Sequence, residues 1–141
     1  MFYDQRTDAP ASPQALRAAY DEQLRDLIER VGLETAADET PVDREALEAL
    51  AAGETPDLSL EETAALVSLA EGEPDPETVV EMACENLLLG MTVAVLDVEA
   101  VEADLEIDLE AREVQQKIER RAPMRFEEFV HIQYVIADRT P

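Results

Sequence analysis

Apolar and polar positions alternate with a helical period along most of the chain. From residue 13 to 31 the apolar side chains Leu16, Tyr20, Leu24, Leu27, Ile28 and Val31 recur every three or four positions, which sets them on one helix face. Ser12 offers an N-cap hydroxyl, Pro13 occupies the first helical position where its missing N–H costs little, and Gly32 can close the helix with a left-handed turn. A short helix is expected around Glu34 to Glu39, followed by the turn Thr40-Pro41-Val42. Asp43 then caps a helix carrying Leu47 and Leu50 and stopped by Gly53. Ser59 and Glu62 form a capping box for a fourth helix, with Leu60, Ala64, Leu66 and Leu69 on its apolar side and Gly72 beyond its end.

The same plan returns in the second half. Asp75 and Pro76 open a long helix through Val79, Val80, Ala83, Leu87, Met91, Ala94 and Val95; its apolar residues fall on several faces, which places it at the centre of the molecule. A short helix from Val98 to Leu105, the turn Glu106-Ile107, Asp108 as cap and a helix over Glu110 to Arg120 come next. After the break at Ala122-Pro123 a last helix carries Phe126, Phe129, Val130, Ile132, Tyr134 and Ile136. VDREA (42–46) matches IDLEA (107–111), and LSLEE (58–62) matches MRFEE (124–128), the mark of an internal repeat of about 65 residues. The expected architecture is all-α: an N-terminal loop over 1–12 and two fused helical units, 13–72 and 75–138, packed around the long central helix.

Two stretches, TAADETPVDREALEALAAGETPDLSLEETAALVSLA and VEADLEIDLEAREVQQKIERRAPMRFEEFVHIQYVIA, carry a further likeness. Each unit resembles the phage-repressor (Cro/XRE-type) helix-turn-helix domain. The resemblance implies that the second and third helices of a unit form the DNA-reading motif and that the third lies in the major groove. The chain as a whole, with FYDQRTDAP at its start and EVQQKIERRAPM near its end, is similar to an uncharacterised haloarchaeal family whose function is not established.

Charge sharpens this picture. Acidic residues outnumber basic ones 34 to 11, for a formal net charge of -23, and Lys117 is the single lysine beside ten arginines. A surface dense in Asp and Glu stays hydrated in concentrated salt, where a Debye length of roughly 3 Å at 1 M mutes self-repulsion. The acids run along almost the whole chain, which fits a high-salt cytoplasm better than a dedicated acidic face for a basic partner or a nucleic-acid mimic.

One segment departs from this background. Leu109 to Phe126 holds five cations, Arg112, Lys117, Arg120, Arg121 and Arg125, against the three acids Glu110, Glu113 and Glu119. It falls on the third helix of the second unit and the loop after it. With Val114 and Ile118 facing inward, Arg112, Gln115, Gln116 and Glu119 lie on outer faces. Glutamine can grip adenine and arginine guanine in bidentate fashion, and arginine or lysine can hold a phosphate. Arg112, Gln115 and Gln116 are thus candidate base readers, and Lys117, Arg120, Arg121 and Arg125 candidate phosphate contacts on double-stranded DNA. The structural alternative is ion pairing of these cations with neighbouring carboxylates. The counterpart helix of the first unit, DREALEALAAG, is acidic and would repel phosphate; its Ala49, Ala51 and Ala52 suit packing on the other half or a homodimer contact.

Other chemistry is thinly represented. Cys84 is the only cysteine, so neither a disulfide framework nor a thiolate zinc site can form, and a packed thiol in a reducing compartment is expected. His131 lies among Phe129, Val130 and Ile132 and reads as a packing residue. Asp104, Glu106 and Asp108 alternate like the start of a calcium loop, but Leu109 stands where that loop needs glycine. Phosphate loops, paired-histidine motifs and nucleophile elbows do not occur, so no cofactor, no metal and no enzymatic activity is expected. The stretch Met1 to Ser12 is polar, unlike a secretory signal, and the apolar run Leu87 to Leu96 is too short for a bilayer, which leaves a cytoplasmic protein off the membrane. The expected function is salt-adapted DNA binding in transcriptional regulation; the alternative is a protein-interaction module on the same scaffold, without DNA.

Overall fold

The computed structural model describes all residues, 1–141, in eight helices and no strands. They are α1 (Pro13–Val31), α2 (Leu33–Glu39), α3 (Arg44–Ala51), α4 (Leu60–Val67), α5 (Pro76–Ala94), α6 (Val98–Asp104), α7 (Ala111–Ile118) and α8 (Phe126–Arg139). Their starts are set by local caps. The side chains of Ser12, Asp43, Ser59, Asp75 and Asp97 each accept a hydrogen bond from a backbone N–H in the first turn that follows, satisfying a donor the helix leaves free.

The element order repeats closely. α1 and α5 have 19 residues each, α2 and α6 seven each, and α3 and α7 eight each. Successive pairs start 63, 65, 67 and 66 residues apart. The offset at α3 and α7 corrects the sequence match there. Asp108 does not cap α7; Glu110 does, and its backbone N–H donates to the Glu113 carboxylate at 3.2 Å. Val42 therefore corresponds to Leu109, both buried, rather than to Ile107.

The segments LSLEE and MRFEE meet each other. Leu60 N–H donates to Met124 O at 2.9 Å, and Phe126 N–H donates to Leu58 O at 2.7 Å, around an antiparallel bridge of Ser59 and Arg125. Exchanging the halves turns one bond into the other, so a local two-fold relation runs between Ser59 and Arg125. Both capped helix starts, α4 and α8, are anchored at this point.

One core of 33 buried residues runs through the helices of both halves. α5 packs on α4, α7 and α8, while α8 is enclosed by α1, α4, α5 and α6. Gly90 permits the close passage of α8 over α5: a Cβ there would lie 2.7 Å from Ile136 Cγ2. The amino-terminal segment, expected as a polar loop, contributes to this core. Phe2 is fully buried and meets Tyr3, Tyr20, Phe126 and Phe129 edge-on, with ring centroids 5.2–6.3 Å apart. Its carbonyl accepts from Gln133 Nε2 at 2.9 Å, and the Tyr3 carbonyl accepts from Asn86 Nδ2 at 2.8 Å.

A candidate nucleic-acid interface

α7 is short, strongly amphipathic and held by its inward residues Val114 and Ile118, which leaves its other faces to solvent or to the adjoining loop. Arg112 and Gln115 are exposed, and Gln116 and Lys117 are half-buried. The helix ends in a turn made by Arg120, whose φ of 64° lies in the left-handed region; Gly53, with φ of 88°, performs the same turn after α3. A side chain at this position costs backbone energy that glycine avoids.

The seven sequence-selected residues separate by what their polar ends touch. Lys117 Nζ sits 2.8 Å from Glu128 Oε1, with both side chains largely buried, and also donates to Pro123 O at 3.0 Å. Glu128 in turn accepts from Arg125 N–H at 2.9 Å, so Lys117 ties the end of α7 to the cap of α8. This ammonium is turned onto Glu128 and the Pro123 carbonyl, unlike the outward position expected of Lys117 as a phosphate contact. The position is filled by buried Leu50 in the first half, and the lysine stem follows the same inward path.

Gln115 Nε2 donates to Glu119 at 3.2 Å, Arg121 lies 3.5 Å from the same carboxylate, and Arg125 meets Asp57 at 3.2 Å and Glu127 at 2.7 Å. These contacts are exposed, and such pairs contribute about 0–1 kcal/mol, too little to withhold the side chains from a stronger ligand. Arg112 and Arg120 have no carboxylate within 4.0 Å. Arg25 and Arg30 share that condition, but Arg25 donates to Leu50 O at 2.8 Å and Arg30 shares a surface hollow with Asp26 and Glu29.

Arg120 and Arg121 stand at a cavity of about 350 Å³ between α5 and the α7–α8 turn, lined also by Leu60, Glu61, Val80, Cys84 and Met124. Burial pushes the Cys84 thiol up to about 11, against the opposing pull of the Arg120 charge, so it is a protonated packing thiol at neutral pH. In the first half the equivalent space is filled. Arg17 on α1 pairs with Asp21 at 2.9 Å, donates to Pro56 O at 2.6 Å and lies over the Phe126 ring at 5.1 Å from its centroid. Sequence reading missed this buried pair, because an Arg and an Asp four residues apart on a helix look like any surface ion pair.

The chain matches a family described as a family of unknown function (DUF5791) over residues 16–139. It belongs to that family. No curated protein and no solved structure matches the DUF5791 chain. No single helix of this DUF5791 member is long and apolar enough to cross a membrane, and no cluster of three His, Cys, Asp or Glu side chains could hold a metal ion. The acidic α3 packs chiefly on α1 and α2 in its own half, so of the two roles expected of its alanines, packing on the other half or a homodimer contact, the first is not the one they serve.

Proposed function

We propose that the protein binds double-stranded DNA through α7 and the turn after it, as a helix-turn-helix-like regulator suited to a salt-rich cytoplasm. The observation that carries this reading is the pair Arg112 and Arg120, left without a carboxylate partner in a chain with 34 acidic residues. The arginines flank Gln116, Arg112 on the short helix of mixed charge and Arg120 in the turn after it, where it holds a left-handed conformation that glycine adopts in the first half. Arg112 and Gln116 are base readers in this reading, Gln115 a further one once released from Glu119, and Arg120, Arg121 and Arg125 contact phosphate.

In molar salt counterion release contributes little, so affinity rests on short-range hydrogen bonds, each bidentate contact discriminating by about 1–3 kcal/mol. The test is fluorescence anisotropy of the full chain on randomised and genomic duplexes, in molar KCl and in low salt. Saturable binding in molar KCl is expected, weakened at least tenfold by Arg112→Ala with Arg120→Ala at unchanged helix content. Lack of saturable binding in both salts, or affinity indifferent to the two arginines, refutes the assignment.

The second reading is a protein-interaction module without DNA. It draws on the intramolecular pairing of Lys117, Arg121 and Arg125, and on exposed Ala51 and Ala52 of the acidic α3 turn. Absence of DNA binding with retention of a protein ligand would select it.

A further inference from the structure

The carboxyl-terminal half of α5 carries side chains that its own fold does not need. Leu88 and Leu89 are 46% exposed, Val93 is 44% exposed and Val95, the residue after the helix, is 88% exposed. They lie in Asn86 to Leu96, a stretch without a charged residue in a chain that is 32% charged. The first half supplies an internal control. At the offset of 63 residues that relates α5 to α1, the positions of Leu88, Leu89, Thr92 and Val93 are held by Arg25, Asp26, Glu29 and Arg30. The flanking positions agree: Leu24, Leu27 and Ile28 are buried in α1, and Leu87, Gly90 and Met91 are buried in α5.

Val95 adds an independent sign. It has φ of 56°, and its counterpart is Gly32, with φ of 91°. A β-branched residue in the left-handed region is a conformational outlier, and here no burial within the chain offsets the cost. Neither helix packing nor backbone preference accounts for an apolar knob at this point.

We propose that this face of α5 is covered by a second copy of the chain, α5 against α5 about a two-fold axis. Charge favours that occupant. Two copies with a net charge of -23 repel across most of their surfaces, and this neutral stretch lets them touch without opposing carboxylates. A two-fold axis sets the stretch against itself and leaves Glu81 and Glu85 towards the rim. A basic partner would gain more from the acid-rich surface elsewhere. The four aliphatic side chains form a patch on the order of 400 Å², the size at which exposed apolar surface marks an interface. Doubled by symmetry and extended by its rim, the contact approaches about 1,000 Å², the lower end of specific association, and the dimer is therefore reversible.

The experiment is sedimentation equilibrium of the full chain in molar KCl, up to roughly millimolar protein. The variant Leu88→Arg, Leu89→Asp, Thr92→Glu and Val93→Arg places on α5 the residues that α1 carries at the equivalent positions. Wild type is expected to dimerise, with association at least tenfold weaker in the variant and helix content unchanged. Val95→Gly is expected to melt higher, by relief of the left-handed strain, and to dimerise severalfold more weakly; it reads the same face if the fourfold variant does not fold. A wild-type chain that stays monomeric, whatever other proteins or vesicles it captures, overturns the proposal. So does a dimer indifferent to both variants.

Discussion

The two halves of the molecule build the same frame and fill one corner of it differently. In the first, Arg17 and Asp21 form a buried pair that clasps the Pro56 carbonyl and closes the space between α1 and the α3–α4 loop. In the second, the matching positions are Val80, Cys84 and Ala122, and the space stays open as the cavity rimmed by Arg120 and Arg121. A guanidinium inside the first half has become two guanidinium groups at the surface of the second. One half is thereby closed around its ion pair, and the other keeps its positive charge outward. The backbone is compatible with both solutions, so the choice of side chains, and not the fold, separates the half with a buried guanidinium from the half with exposed ones.

The strongest way to break this comparison is to convert the first half into the second. Removing one member of a buried ion pair strands the other, at about 3–5 kcal/mol. Asp21→Cys alone and Arg17→Val alone should each lose about that much in urea unfolding, the first by leaving Arg17 without its carboxylate and the second by leaving Asp21 buried with nothing to pair. Asp21 Oδ2 already lacks a hydrogen-bond partner, so little compensation is at hand. The double variant, which reproduces Val80 and Cys84, should cost less than the sum of the singles and open a second cavity. Simple additivity would mean that the pair does not act as a unit.

A smaller effect tests the turn after the third helix of each half. Arg120→Gly should stabilise by up to about 1 kcal/mol, since glycine carries no Cβ into the left-handed region, while Gly53→Arg should lose a similar amount. The gain is moderated by the greater freedom of glycine in the unfolded chain. If Arg120→Gly also weakens binding to DNA, the strained arginine is kept for its side chain. Loss of stability on introducing the glycine would mean that Arg120 makes an internal contact worth more than the strain.

Helix positions were largely legible in the sequence, because caps and period are local. Ser12 with Pro13, Asp43, Ser59 with Glu62 and Asp75 with Pro76 all open helices where their chemistry placed them. What escaped was set by distant contacts. Phe2 belongs to the core through a hydrogen bond to Gln133, and Tyr20 OH donates to the same side chain at 2.6 Å, across more than a hundred residues. Nothing in a helical period announces such partners. At Asp108 two acidic residues competed for one cap, and the backbone chose Glu110, which Glu113 can reach. In the candidate interface, sequence marked the segment but not its internal division: Lys117 and Arg120 are both cations near the end of α7, and only packing makes one internal and the other outward.

The finest test of closed against open surroundings is His131 on α8. It is buried, its Nδ1 has no hydrogen-bond partner, and burial lowers its pKa below the ordinary 6.5, although Glu127 and Glu106 pull upward. The unfolded chain therefore takes up a proton at this site before the folded chain does. Stability contributed by the neutral imidazole is complete above about pH 6.5 and is lost as pH falls below it, down to the folded value. His131→Leu removes the titration and keeps an apolar side chain in the core. Between pH 7.5 and 5.5, wild type should lose stability relative to this variant, read as a fall in the wild-type urea midpoint that the variant does not share. A difference that stays constant with pH would mean that His131 reaches water or a carboxylate in the folded chain. A difference that grows in favour of wild type on acidification would mean that the folded protein stabilises the imidazolium, drawing a surrounding carboxylate into play as the buried Asp21 does for Arg17.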